Sequence, residues 1–189
     1  NGPPAPAKGT SNKNGKTKMT EQFHLGPITV ADVMNPKPHE VHIPTVIDRI
    51  NAIRRFVGAP DALTVLQHCR LTKALAIQDN APWRVVQWAW RHDWHEAVTG
   101  DIPAPVKRAI SSARLEQIER AWDRAIALAE TIQPPDMWVR EQVQHYDLLA
   151  CRMEMEAIGM TPCAHMPSVE SHYDLQQAWA YAIGREMAA

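Results

Sequence analysis

Five groups able to bind a metal or move a proton, His92, Asp93, His95, Glu96 and Asp101, fall within the stretch Arg91–Lys107, R-H-D-W-H-E-A-V-T-G-D-I-P-A-P-V-K. An imidazole beside a carboxylate is a mixed nitrogen and oxygen donor set, suited to a divalent transition ion. Ahead of them Trp83, Val86, Trp88, Ala89 and Trp90 are apolar and nothing breaks the run after Pro82, which predicts a helix; Gly100, Pro103 and Pro105 end it. In such a helix His92 and Glu96 share a face, and Asp93 lies about 100° round from His92. An ion between His92 and Asp93 then leaves Glu96 beside it as an acid or base. A His-Asp pair alone is common in proteins. Here it is joined by a candidate upstream, His68 in L-T-V-L-Q-H-C-R-L-T-K-A-L-A, and another downstream, Asp147 in V-Q-H-Y-D-L-L-A-C-R-M-E-M-E, both on predicted helices. Asp147 sits among Val143, Leu148 and Leu149, where an unpaired carboxylate is costly to bury and an ion removes that cost.

The order H…HD…D resembles the HD superfamily of metal-dependent phosphohydrolases. The longer string H-D-x-x-E-x-x-x-G-D-x-P-x-P-x-K fixes type and spacing at eight positions and resembles, more narrowly, the bacterial and phage 5′-deoxynucleotidase branch. The resemblance runs from Asn35 to about Gly159. It implies an HD-domain helical bundle with His68, His92, Asp93 and Asp147 as ligands to one divalent transition metal (Co, Mn, Fe or Zn). Glu96 and Asp101 are the implied catalytic acids, one orienting or deprotonating the attacking water and the other serving the leaving oxygen, in either assignment. The implied reaction releases phosphate from a deoxynucleoside monophosphate. In that branch an Arg-aromatic pair at the end of the first helix meets the phosphate and crowds the sugar 2′ position. Arg55-Phe56, with Arg54 beside it, resembles that pair, although the branch's best-known members carry Trp where this chain has Phe56. That departure bears on discrimination against ribonucleotides. Lys107 is a further phosphate contact by the same resemblance. A phage-type deoxynucleoside triphosphohydrolase would use the same ligands. A non-catalytic nucleotide-binding module is the alternative of another class, but degenerate HD domains lose ligands, and this chain keeps all four.

Each residue also has a plainer role open to it. His68 can be an interior histidine with one hydrogen bond, Glu96 a surface acid, Asp101 a turn-capping residue, Arg54 and Arg55 a solvated helix end. His95 and His145 read as ordinary neighbours of the ligands. Trp83, Trp88, Trp90 and Trp94 offer more aromatic area than one helix face needs, for the core first and for a nucleobase pocket or subunit contact second.

The elements that must position these groups are helical. Helices are predicted over Pro44–Val57, Ala62–Ile77 (with Asp61 as N-cap), the run from Trp83 into the motif, a short piece after Pro105 to Ser112, Leu115–Ile132, Asp136–Ile158 closed by Gly159, and Val169–Met187. Phe23–Val33 alternates loosely, as a short strand or extended arm. Residues 1–18 hold no large apolar side chain and are expected to be a disordered or appended tail, with Met19 as the natural start. Residues 19–189 then make one all-α domain. Net charge is −1, which gives no nucleic-acid footprint and no membrane-surface patch. No apolar run reaches the length of a membrane span. The three cysteines, Cys69, Cys151 and Cys163, are isolated, which fits reduced thiols in the cytoplasm. The expected partner is a small deoxynucleotide, with a second copy of the chain meeting the helix that carries Trp179 and Tyr181.

Overall fold

The computed structural model describes residues 23–110 and 113–184. The expected tail, residues 1–18, and Met187 lie outside them. Helix makes up 59% of the described residues, which hold one two-stranded sheet, so the architecture is an all-α, compact helical bundle. No helix among the described residues is long and apolar enough to cross a membrane.

The chain enters as a hairpin, β1 (Phe23–Leu25) antiparallel to β2 (Ile28–Val30), with Phe23 opposite Val30. Gly26 turns it at φ +62°, and a Cβ there would stand 2.3 Å from Thr45 Oγ1, so the hairpin packs directly on the next helix. That helix, α1 (Ile43–Ala52), buries Val46 and Ile50. Its apolar period continues in Ile53 and Val57, which is why the sequence predicts helix to Val57. The helix stops earlier: Ile53 is extended, and Arg54 bridges to Thr64 in an isolated antiparallel pair. A single turn, α2 (Arg55–Gly58), follows, with Phe56 and Val57 both left-handed at φ 52° and 57°.

Helix α3 (Val65–Gln78) is capped by Thr64 rather than Asp61. The Gln67 N–H donates to Thr64 Oγ1 at 3.2 Å, and the Thr64 N–H donates to Gln67 Oε1 at 2.9 Å, a reciprocal capping box. The rest of the chain forms α4 (Trp83–Ala89), α5 (Glu96–Thr99), α6 (Ala104–Ile110), α7 (Ala113–Ala129), α8 (Met137–Ala157) and α9 (Leu175–Ala182). Asp136 caps α8, and past Gly159 (φ +75°) the Met160 N–H returns to the Met155 carbonyl at 2.8 Å, closing the helix. The last helix begins at Leu175, behind its Asp174 cap, six residues later than Val169, the predicted start.

α3 is the central element, packed against α1, α4, α8 and α9. Leu71 and Leu75, with Val85, Trp88, Val143 and Leu149, belong to one apolar cluster; Val65, Leu66 and Cys69, with Val46, Ile50, Trp94, Trp122 and Ile126, belong to the other. Burying a leucine such as Leu71 contributes roughly 1.5–3 kcal/mol, so α3 is firmly seated. His68 lies on it among residues of the second cluster, just before those of the first.

A polar latch ties α3 to α8 and to the segment before α9. Asp79 accepts from Tyr146 Oη (3.0 Å), Tyr173 Oη (2.9 Å) and His172 Nε2 (2.7 Å). Burial opposes the charge, but these three bonds outweigh it and hold the Asp79 carboxyl below its ordinary value. A depressed folded-state pKa means the stabilisation is present above the unfolded pKa, about 3.9, and is lost as pH falls through the folded one. Urea unfolding of wild type and Asp79→Asn should therefore show a stability gap at pH 5 that narrows below about pH 4. A gap of constant size down to pH 3 would deny the latch its charge.

Candidate metal centre

The motif does not continue as α-helix. After Ala89 the N–H groups of Arg91, Trp94, Glu96 and Ala97 bond three residues back, to Trp88, Arg91, Asp93 and Trp94, and these tight turns hold Trp94 at 2% exposure in the core. The helical register expected for His92 and Glu96 is thus broken. At the end of α4 the Ala89 carbonyl lies outside the helical ladder and accepts the Nδ1–H of His92 at 2.8 Å. On α3, His68 Nδ1 is bound by Glu154 Oε1 of α8. Both imidazoles are therefore anchored at Nδ1, and both turn Nε2 inward.

At that point four groups meet. His68 Nε2 is 3.2 Å from His92 Nε2, 3.0 Å from Asp147 Oδ1 and 3.7 Å from Asp93 Oδ2. His92 Nε2 is 3.3 Å from Asp93 Oδ2 and 3.7 Å from Asp147 Oδ1. In the neutral tautomer with the proton on Nδ1, each Nε2 offers a lone pair, so that two nitrogens and two carboxylate oxygens can converge on one cation. A cation satisfies that arrangement. Donors each about 2.1 Å from a shared ion and 90–109° apart stand about 3.0–3.4 Å from one another, close to the spacing seen. His68, His92, Asp93 and Asp147 are a partly buried cluster that could hold a metal ion.

The electrostatics follow from burial against attraction. Burial disfavours charge on Asp93, but His92, His68 and Arg55 hold its carboxyl well below the usual range. Asp147 is likewise lowered, through its bonds to His68 and His92. Burial lowers both imidazoles, yet the carboxylates raise His92 well above its ordinary value and raise His68 less, since Arg55 repels it. An ion would displace protons from these nitrogens, so its uptake should release protons and weaken toward acid pH.

Around the cluster, the expected site residues fall into distinct places. Arg55 is 9% exposed, with Nε on Glu154 Oε2 at 3.0 Å and Nη1 on Asp93 Oδ2 at 3.3 Å. It is a buried clamp on the cluster rather than a solvated helix end. Arg54 is not brought in: its Nη1 donates to the carbonyls of Pro60 (3.3 Å) and Ala62 (2.9 Å). Phe56 is half-buried, its ring 5.7 Å from the Arg55 guanidinium. Glu96 is buried behind Asp93. Burial and the Asp93 charge, against the pull of Arg55 and His95, push its carboxyl up to about 8. Lys107 Nζ lies 3.8 Å from Glu96 and 3.0 Å from Glu119. Asp101 is half-buried and raised by burial and Asp93, with Arg55, His68 and Lys107 pulling the other way.

Two groups went unread in the sequence. Glu154, 1% exposed, orients His68 and holds Arg55. Its signal was present: Glu154 lies seven residues after Asp147, nearly two whole turns along the same face of α8. Asp123 accepts from His95 Nδ1 (3.0 Å) and from Arg140 Nη1 (2.8 Å), tying the motif to α7 and α8. Although burial opposes it, the Asp123 carboxylate raises the His95 imidazole to about 9. A carboxylate behind a metal-binding histidine fixes its tautomer and basicity. Glu154→Gln should accordingly weaken Mn²⁺ or Co²⁺ binding by about 10–100-fold in a calorimetric titration; unchanged affinity would reduce Glu154 to a packing role.

No protein-family model matches the chain, and neither does any curated protein.

Proposed function

We propose that the chain is a metal-dependent phosphohydrolase that releases phosphate from deoxynucleoside monophosphates. The observation that carries this reading is the convergence of His68 Nε2, His92 Nε2, Asp93 and Asp147 as acceptors, together with the eight-position motif in which His92 and Asp93 lie. A single divalent ion, Mn²⁺, Fe²⁺, Co²⁺ or Zn²⁺, suits the donor set and would acidify a water and offset phosphoryl charge.

The chain's own residues supply the rest. Asp101, the more exposed of the two acids, takes the proton of the attacking water. Glu96, which holds its proton near neutral pH, serves as the acid. Lys107, 31% exposed at the side of Glu96, offers a cation to the phosphate. Arg55 acts through Asp93 and Glu154, keeping the cluster aligned. Arg55 and Lys107 are already matched by carboxylates and Arg54 by carbonyls, so the site provides little free positive charge for a triphosphate chain. This favours the monophosphate.

The test is product analysis by anion-exchange chromatography. Metal-loaded protein would receive the four deoxynucleoside monophosphates and the four triphosphates, with ribonucleotide controls. Deoxynucleoside and orthophosphate from the monophosphates are expected. Consumption of triphosphates alone would replace the reading with a triphosphohydrolase, and no turnover with any of the four metals would end it.

A further inference from the structure

Two elements beside the cluster differ in how they are held. Helix α7 is a fixed wall: Trp122 and Ile126 are buried, and Trp122 Nε1 donates to the Val33 carbonyl at 3.0 Å. On the face of α7 that meets the motif, Glu119 and Asp123 stand one turn apart. Asp123 holds His95 Nδ1 at 3.0 Å, and Glu119 holds the Lys107 ammonium at 3.0 Å. The strap from Gly100 to Ile110 is the opposite case. It ends in α6, which buries none of its side chains and leaves Val106 and Ile110 exposed. Apolar packing therefore gives α6 little local stability. Yet the strap carries two groups of the site, Asp101 and Lys107. The Lys107 ammonium comes only within 3.8 Å of Glu96, beyond hydrogen-bonding distance, so Glu119 is its closer partner.

We propose that Glu119 is a positioning residue: it moors the α6 strap to α7 and so holds the Lys107 ammonium beside Glu96, where the substrate phosphate arrives. This inference rests on the phosphoester reading and adds the residue that acts through Lys107. A lysine ammonium rides on a flexible four-carbon stem. A carboxylate that fixes it before the ligand binds spares the ligand the cost of ordering it. The same carboxylate also competes with a phosphate for the ammonium. The two effects have opposite signs, so the direction in which a Glu119 variant moves phosphate binding decides between them.

The experiment joins a double-mutant cycle to hydrogen exchange. The full chain is loaded with Mn²⁺, freed of excess metal and titrated with orthophosphate by calorimetry. Lys107→Ala should weaken phosphate binding about tenfold, and Glu119→Gln about threefold or more. The double variant should lose no more than Lys107→Ala alone, because Glu119 acts only through Lys107. In Glu119→Gln the amides of α6 should exchange about fivefold faster than in wild type, with those of α3 and α8 unchanged. Tighter phosphate binding by Glu119→Gln would make the carboxylate a competitor for Lys107 and overturn the proposal. So would additive losses in the double variant, unaltered exchange in α6, or a wild type that binds no orthophosphate. Because none of this reads turnover, a chain that shows the coupling but cleaves no phosphoester would sink the hydrolase reading and leave the role of Glu119 standing.

Discussion

Asp93→Ala should leave a folded protein that retains no divalent ion and loses phosphoester turnover by about 10³-fold or more. Asp93 joins both imidazoles of the cluster to the Arg55 guanidinium. One oxygen lies 3.3 Å from His92, 3.7 Å from His68 and 3.3 Å from Arg55. Removing it deletes a ligand and half of the counter-charge on Arg55, and it leaves two imidazoles that repel a cation when protonated. Metal content after dialysis, read by elemental mass spectrometry, and phosphate release report on it together. A variant that still carried one ion per chain and turned over would exclude Asp93 from the centre.

Arg55→Ala should produce the largest loss of stability, about 3–5 kcal/mol, the range for removing one partner of a buried charge pair. Glu154, 1% exposed, and Asp93 would be left facing each other's charge across a site from which water is largely excluded. Urea unfolding of the metal-free protein measures this directly. The same variant should also bind metal more weakly, because His68 would lose its fixed partner geometry. If stability were unchanged and only KM rose, Arg55 would be a substrate contact after all.

The four residues that meet in the cluster were legible because their types and spacing are themselves the signal. His68 and Asp147 needed only α3 and α8, both readable from apolar periodicity, whereas His92 and Asp93 are placed by the turns that follow α4. What escaped is set by tertiary contact. Nothing local stops α1 before Val57; the bridge of Arg54 to Thr64 and the Arg55 N–H to Leu63 carbonyl bond at 3.0 Å do so. Phe56 and Val57 then accept left-handed backbone, each at an expense of roughly 1–2 kcal/mol, and the turn they make carries Arg55 inward. The motif turn is similar: burying Trp94 overrides the helical register that would have put His92 and Glu96 on one face. Of the tryptophans, Trp88 and Trp94 joined the core, while Trp83 stands 67% exposed. Asp61 lost the cap of α3 to Thr64 because Gln67 completes the box with Thr64.

Four converging groups, the two imidazoles held from behind by Ala89 and Glu154, should bind one divalent cation. Calorimetric titration of the chelator-treated protein with Mn²⁺ in buffers of different protonation enthalpy tests it most directly. The expected result is one site per chain, net proton release that grows as pH is lowered from 8 to 6, and loss of the site in Asp147→Ala. Absence of saturable binding, or equal binding by Asp147→Ala, would mean that the cluster holds no ion.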